Sequence, residues 1–265
     1  MHITGKITSK NNDTVKIYSA LAASASKRRD SGLFVVEGRR LCHEAYLSDI
    51  KIEALFFTMN FYAKYKAYVD ELAGDAANIY ETTEEILKKI SDTVSPQGVV
   101  CICRRPVNDA LKIKPGGFYI ALENVSDPSN IGAISRSAAG FDYDGIMITR
   151  GSADAYSPKA LRASMGALFR LPVIEFADIN EILETCHKHE IISYAGVVSK
   201  SAENIKNIDF CGGALIIVGN EGNGLSKEAI NGVKRRIFIP MSEKTESLNV
   251  AAAASIIMWE SRRKK

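Results

Sequence analysis

Between residues 118 and 262, short apolar runs alternate with amphipathic stretches, and this alternation constrains the fold more than any other feature. Runs at 118–123, 145–149, 173–174, 191–195, 213–218 and 236–239 have the length of single buried strands. Between them, 129–139, 158–163, 179–189, 227–232 and 248–262 carry apolar residues at helical spacing. Near-continuous apolar strands joined by helices predict an α/β fold whose mostly parallel sheet is covered on both faces. Ligands of such a sheet bind beyond the carboxyl ends of its strands, so the residues following each run are the first candidates for function.

The first half alternates less plainly. Residues 14–29, 39–48, 60–73 and 84–90 read as helices, and 33–36, 52–58, 79–80 and 98–103 as strands, giving a smaller α/β unit. A chain of 265 residues holds one or two domains. The polar stretch Arg104-Arg105-Pro106-Val107-Asn108-Asp109, followed by the turn Pro115-Gly116-Gly117, reads as a linker. Domains are therefore expected at 1–105 and 106–265.

With 46% hydrophobic and 25% charged residues, the chain can build a sizeable core. No apolar run approaches the roughly 18 residues of a membrane span. Residues 1–16 are polar and lack the hydrophobic centre of an export signal. Cys42, Cys101, Cys103, Cys186 and Cys211 are odd in number and scattered, so free buried thiols in a cytoplasmic protein are expected. Neither they nor His2, His43, His187 and His189 form a metal-ligand pattern. The net charge is only +3, but residues 1–40 hold eight Lys or Arg against three Asp or Glu. The clusters are Lys27-Arg28-Arg29 and Arg39-Arg40, with Arg262, Arg263, Lys264 and Lys265 ending the chain. Such clusters suit phosphate backbones, and each taken singly suits solvated surface equally well.

Three blocks carry candidate chemistry. In the first, a strand ends at Glu123, and the loop holds Asn124, Asp127, Pro128 and Asn130. Ser129 or Asn130 can cap the next helix and Gly140 can end it. At 100° per residue, Ile131, Ile134 and Ala138 form its buried stripe. Arg136 then projects from a face of small residues, Ser129, Gly132, Ala133 and Gly140, which a phosphodiester or another helix can approach closely. A surface arginine on an ordinary helix satisfies the same segment. In the second block, the strand 215–218 runs into a loop with Gly219, Gly222 and Gly224. It is no P-loop, since no Gly-Lys-Ser/Thr follows, and no dinucleotide fingerprint, since Ile239 stands where an acidic ribose ligand belongs. It can cradle a nucleotide-like ligand through backbone N–H groups, or be only a tight turn. The third block runs from Ile237 through Met241 to Glu246-Ser247-Leu248-Asn249 and four alanines, 251–254. Ser247 is a plausible helix cap, and the alanines imply close packing all round the last helix.

In order and spacing these blocks resemble the three signature motifs of the SpoU (TrmH) class of SPOUT RNA 2′-O-ribose methyltransferases. The segment Ser157-Pro158-Lys159-Ala160-Leu161-Arg162-Ala163-Ser164-Met165-Gly166 resembles that family too, so the likeness covers about 118 to 262. The first half resembles, more loosely, its ribosomal-protein-like substrate-binding domain, through Phe34-Val35-Val36-Glu37-Gly38. The resemblance implies a C-terminal trefoil knot, a homodimer and S-adenosyl-L-methionine as cofactor. It would place the cofactor on Ala195, Gly219, Asn220, Glu221, Gly222, Ile239, Met241 and Leu248. It gives Arg136 the catalytic position, with Asn124, Glu221, Ser247 and Asn249 beside it. One departure is Ala251-Ala252, where a serine often follows in the family.

The implied reaction is an in-line methyl transfer to a ribose 2′-hydroxyl, with no metal and no membrane. Arginine stays protonated under almost any condition. Arg136 is therefore either a base activated by desolvation and RNA phosphate, or a donor that stabilises the developing alkoxide. The basic first half, with Lys27, Arg28, Arg29, Arg39 and Arg40, favours a large structured RNA; ribosomal RNA is preferred over tRNA because the two-domain layout resembles the family's ribosomal-RNA branch more than its tRNA branch. Two other classes compete: a non-catalytic RNA-binding or ribosome-assembly protein, which would let Arg136 or the glycine loop decay, and a nucleotide-dependent oxidoreductase or NTPase.

Overall fold

The computed structural model describes residues 2–107, 113–199 and 201–263. Asn108 and Asp109 of the expected linker, and Lys264 and Lys265 of the terminal basic cluster, lie outside the described residues. Two compact units emerge, Met1–Val107 with Tyr156–Phe169, and Asn108–Ala155 with Arg170–Lys265.

The first unit runs β1 (Gly5–Ile7), α1 (Asp13–Ala23), α2 (Ala25–Ser31), β2 (Leu33–Glu37), α3 (Arg39–Leu47), β3 (Ile52–Thr58), α4 (Met59–Lys64), α5 (Lys66–Asp75), β4 (Ile79–Thr82), α6 (Glu84–Ile90) and β5 (Val99–Arg104). Its sheet has the order β1-β4-β3-β5-β2, and β5 is antiparallel to both its neighbours. Strand alternation sends Val35, Phe56, Val100 and Ile102 to one face, where they meet Tyr18 and Leu21 of α1 and Leu87 of α6. Two expected helices are each broken in two. At Ser24 the chain turns extended (φ −123°, ψ 119°), and the Ser24 hydroxyl accepts from the Lys27 N–H, so one residue ends α1 and caps α2. Tyr65 (φ −132°, ψ 45°) separates α4 from α5 without a side-chain cap, its N–H donating to the Phe61 carbonyl.

The second half runs β6 (Phe118–Leu122), α7 (Pro128–Gly140), β7 (Gly145–Thr149), α8 (Pro158–Ser164), α9 (Ala167–Arg170), β8 (Val173–Phe176), α10 (Ile179–Lys188), β9 (Ile192–Gly196), β10 (Glu203–Asn204), β11 (Ala214–Val218), α11 (Lys227–Gly232), β12 (Arg235–Phe238) and α12 (Val250–Arg262). Its seven strands lie in the order β10-β12-β9-β11-β6-β7-β8, and the neighbouring pairs are parallel. All their carboxyl ends therefore share one edge. The central β11 is buried along its whole length, which is why 214–218 reads as an unbroken apolar run. One face packs Ala121, Met147, Leu215 and Ile217 against Ile179 and Ile182 of α10. The fully buried Ile131, Ile134 and Ala138 of α7 form the expected stripe. A hydroxyl pair, Ser137 Oγ and Ser255 Oγ at 2.7 Å, joins α7 to α12.

Several local expectations are corrected. Asp127 caps α7, its carboxylate accepting from the Ser129 N–H at 2.9 Å, with Pro128 at the first helical position. Gly140 stays helical, and the left-handed turn falls on Asp142 (φ 58°). Asn249, not Ser247, caps α12, its side-chain oxygen accepting from the N–H groups of Ala251 and Ala252. The alanine run is packed on one side only: Ala251 and Ala254 are buried and Ala252 is exposed. The cysteines are free, four of them buried, but Cys211 is exposed. No helix among the described residues is long and apolar enough to cross a membrane.

Candidate active site

A cavity of about 470 Å³ opens where β9, β11 and β12 end, within the size range of small-molecule sites. Its apolar walls come from the strand ends Val218 and Ile237, from Ile239 and Leu248 beyond β12, and from Ile257 of α12. The loop Gly219, Asn220, Glu221 and Gly222 lines one side and Met241 the rim. Seven of the eight residues expected to hold a cofactor are thereby brought together. Ala195 is the exception. It is fully buried inside the sheet, paired with Ile217 and Arg236, and the wall is made by the next residue, Gly196. Strand side chains alternate in direction, so an error of one position moves a residue to the other face.

Gly219 is bare for a different reason from the one its motif suggests. A Cβ there would lie 2.3 Å from the Gly224 carbonyl oxygen, so the loop closes on itself across this residue. Reciprocal backbone hydrogen bonds between Asn220 and Gly224 complete that closure. The Asn220 side chain fixes the rest: its oxygen accepts from the N–H groups of Gly222 and Asn223, and its amide donates to the Asn124 carbonyl at 2.9 Å. Behind the loop, the buried Glu123 carboxylate accepts from the Ser226 N–H (2.9 Å) and hydroxyl (2.6 Å), seating the start of α11.

The three blocks meet at Glu221. Its carboxylate accepts from the Ser126 N–H (3.1 Å) and hydroxyl (2.8 Å), the Asp127 N–H (3.1 Å) and the Asn130 amide (2.8 Å). Partial burial acts to raise its pKa, but the donors from Asn130, Ser126 and Asp127 outweigh that and hold it at about 2. Glu221 is thus charged at neutral pH, and its oxygens are engaged in tethering the loop after β6 and the start of α7. The chain continues from Asn130, whose side-chain oxygen accepts from the Asn249 amide at 3.1 Å, while Asn249 caps α12. Ser247 lies exposed on the cavity rim.

Asn124 is strained (φ 55°), and its N–H donates to the Thr149 hydroxyl at 3.1 Å. Its side chain fills the space a Cβ on Gly151 would need, so it is a loop-shaping residue that does not line the cavity. Arg136 sits exposed on α7, and among the described residues it makes no hydrogen bond or ion pair. Sequence reasoning passed over Asn130 as a catalytic-site residue. Its signal was present, a second asparagine six residues before Arg136, but nothing in composition ranks Asn130 above Asn124.

The basic clusters of the first unit separate. Arg28 is 4% exposed, and its guanidinium donates to the carbonyls of Leu21 and Ala22, closing the end of α1. It is corrected from an RNA contact to a structural residue. Lys27 and Arg29 are exposed at one end of β2, Arg39 and Arg40 at the other, a five-residue strand apart or roughly 13–17 Å.

The cavity fits S-adenosylmethionine. Its apolar walls suit an adenine, the turn 219–222 offers backbone polar groups, and no Lys or Arg lines it to meet the phosphates of a dinucleotide or NTP. Among the described residues no group of three or more His, Cys, Asp or Glu is arranged to hold a metal ion.

The SpoU rRNA methylase family model matches residues 117–259, and the MRM3-like substrate-binding domain matches 12–101. An uncharacterized tRNA/rRNA methyltransferase of Synechocystis sp. is 30% identical over 98% of this chain and 94% of its own length. The 23S rRNA (guanosine(2553)-2′-O)-methyltransferase RlmP of Bacillus subtilis is 25% identical over 97% of this chain and 99% of its own. Among solved structures, an AdoMet-bound rRNA methyltransferase from Sinorhizobium meliloti superposes with a TM-score of 0.88 at 26% identity, covering 98% of this chain and 97% of that one.

Proposed function

The chain belongs to the SpoU rRNA methylase family, and on that premise we propose that it methylates a ribose 2′-hydroxyl of ribosomal RNA from S-adenosylmethionine, with Arg136 as its catalytic residue. The observation that carries this reading is an apolar-walled cavity of about 470 Å³, with no Lys or Arg in its lining, joined through Glu221, Asn130 and Asn249 to the helix that presents an unpaired arginine. In the cleft the bound cofactor supplies an electrophilic methyl group on a sulfonium. The chain's own residues do the remainder. Glu221 and Asn130 hold the two loops in register. Arg136 anchors an RNA phosphate and stabilises the alkoxide that develops as the 2′-hydroxyl releases its proton to bulk water; its fixed positive charge suits the role of donor, not base.

We further propose a homodimer, on the evidence of the outer face of α12. Ala252, Ile256 (41% exposed) and Trp259 (51% exposed) form one stripe at helical spacing, an apolar surface that a second copy would cover. We read the glycine loop after β11 and the small residues of α12 as the parts that a trefoil threading of this sheet requires.

The test is single-turnover transfer of tritiated methyl groups from S-adenosylmethionine to deproteinised large-subunit ribosomal RNA, followed by nuclease mapping of the product. One alkali-resistant 2′-O-methyl nucleotide is expected. Arg136→Ala should slow the step about 100- to 1,000-fold while cofactor affinity survives, and Arg136→Lys should recover little. A methylated base, or an Arg136→Ala rate within a few-fold of wild type, overturns the assignment.

A further inference from the structure

We propose that the end of the five-stranded sheet where β2 and β3 finish is the RNA-docking face of the first unit, and that it holds an unstacked nucleotide rather than regular duplex. The proposal rests on the reading that the substrate is RNA, and it adds where, and in what conformation, that RNA is gripped.

Three observations converge at this end. The first is unpaired charge. Arg39 and Arg40 are exposed, and Arg40 makes no hydrogen bond or ion pair with the described residues. The second is a prepared stacking plane. The Arg39 guanidinium lies 4.8 Å from the centroid of the Tyr65 ring, and the Lys64 ammonium 5.3 Å from it. A guanidinium seated over an aromatic ring leaves its opposite side open to a base.

The third is Val94, which is 94% exposed. A lone exposed valine is ordinary, but this one is carried on a loop fixed at both ends. The Glu37 carboxylate accepts from the hydroxyls of Ser91 and Thr93 and from the Asp92 N–H at 3.1 Å. Gln97 Oε1 accepts from the Arg39 N–H at 2.8 Å, and Gly98 (φ +92°), which a Cβ would drive into Phe61 at 2.8 Å, returns the chain to β5. Val94 is three steps before Gln97, so its Cα stands within about 11 Å of that of the residue whose side chain accepts from the Arg39 N–H. A part-buried carboxylate thus holds in place the loop that carries this apolar side chain, at the same end of the sheet as Arg39 and Arg40.

A regular RNA duplex gives such a surface only half of what it offers. Its phosphates suit the arginines, but its base faces are stacked away, and its reachable edges are polar. A bulged or looped nucleotide offers phosphate and bare base face together. Lys27 and Arg29, at the other end of β2, have no aromatic or fixed apolar neighbour of this kind among the contacts of the described residues.

The experiment uses the full chain and two fluorescein-labelled RNAs of equal length, a hairpin with an unpaired loop and a perfect duplex, read by anisotropy. Wild type should bind the hairpin at least about fivefold more tightly than the duplex. Val94→Ser, an exposed change that a thermal melt will check, should erase that preference and leave duplex affinity within about twofold. Arg39→Glu with Arg40→Glu should weaken both RNAs by more than about tenfold, whereas Lys27→Glu with Arg29→Glu should change the hairpin preference little. Equal affinity of wild type for both RNAs, a preference that survives Val94→Ser, or a larger loss from the Lys27/Arg29 pair overturns the proposal. Titration of the same proteins with S-adenosylmethionine separates the two readings: absent cofactor binding with an intact hairpin preference refutes the methyltransferase reading and keeps the docking face.

Discussion

Replacing Glu221 with glutamine removes one charge and reverses one half of the tether while keeping its shape. Each carboxylate oxygen now accepts from two donors, one from the Ser126 N–H and hydroxyl, the other from the Asp127 N–H and the Asn130 amide. In Glu221→Gln one of these pairs faces an NH₂ group and is lost. Two hydrogen bonds at about 0.5–1.5 kcal/mol each, partly replaced by water, amount to a loss of about 1–2 kcal/mol. The lowering of the Glu221 pKa from 4.5 to about 2 points the same way, and for a solvent-exposed group it must be discounted heavily for screening. The pH dependence has a definite sign. A carboxylate whose pKa is depressed by folding contributes fully above its unfolded value and loses that contribution as the pH falls toward its folded value. Urea unfolding of both proteins should therefore show a constant gap above about pH 5.5 that narrows from about pH 4.5 toward pH 2. In a chain of this size the melting temperature should drop by about 2–6 °C at neutral pH. A gap at pH 7 below about 0.3 kcal/mol, or one undiminished at about pH 3, refutes the tether.

Two further substitutions probe neighbouring claims. Gly219→Ala should collapse the loop and abolish S-adenosylmethionine binding by calorimetry, because its Cβ meets loop backbone at 2.3 Å; Gly222→Ala, whose Cβ would lie 3.5 Å from Asn220 Oδ1, should bind within a few-fold of wild type. Equal behaviour of the two would show that loop closure is not what Gly219 provides. Trp259→Asp should convert a dimer to a monomer in sedimentation velocity without lowering the melting temperature of the single chain, since the ring is half exposed; an unchanged sedimentation coefficient would move the interface elsewhere.

How much of this was legible depends on the range over which each cause acts. The parallel sheet was readable because β11 and its neighbours are buried on both faces, and burial on both faces leaves an unbroken apolar run. The residues that line the cavity lie beyond strand ends in a parallel sheet, where ligands bind, but it was the likeness of the glycine loop and the third block to the SpoU motifs that singled them out one by one. Interruptions were not legible. Ser24 and Tyr65 each sit inside a stretch with continuous helical periodicity, and tertiary packing breaks it: α1 and α2 both turn against β2, and α4 and α5 both against β3. Arg28 was misread for a related reason: between Lys27 and Arg29 it looks like one more surface cation, and nothing local says that its guanidinium closes the end of α1. Ala195 and Gly196 differ by one step along a strand, and the choice between them is set by the partners of β9, which lie twenty and forty residues away or more.

The same reasoning explains why Asn130 and Arg136 were unequal in the sequence although they share a helix. A residue that acts by holding other residues is defined by its partners, and those of Asn130 lie 91 and 119 positions downstream, in Glu221 and Asn249. A residue that acts on a ligand is defined by the absence of partners, and that is partly a local property. Small neighbours at Gly132, Ala133 and Gly140 leave Arg136 nothing to bind on its own face of α7. An arginine already engaged in a strong ion pair would have to surrender it before meeting a phosphate or an alkoxide, and the cost would be subtracted from transition-state stabilisation. The Glu221 oxygens are already taken by four donors from Ser126, Asp127 and Asn130 and are not left open to Arg136. Saturating that carboxylate does two things at once: it locks the cofactor loop to the start of α7, and it keeps the helix's one free cation available for RNA.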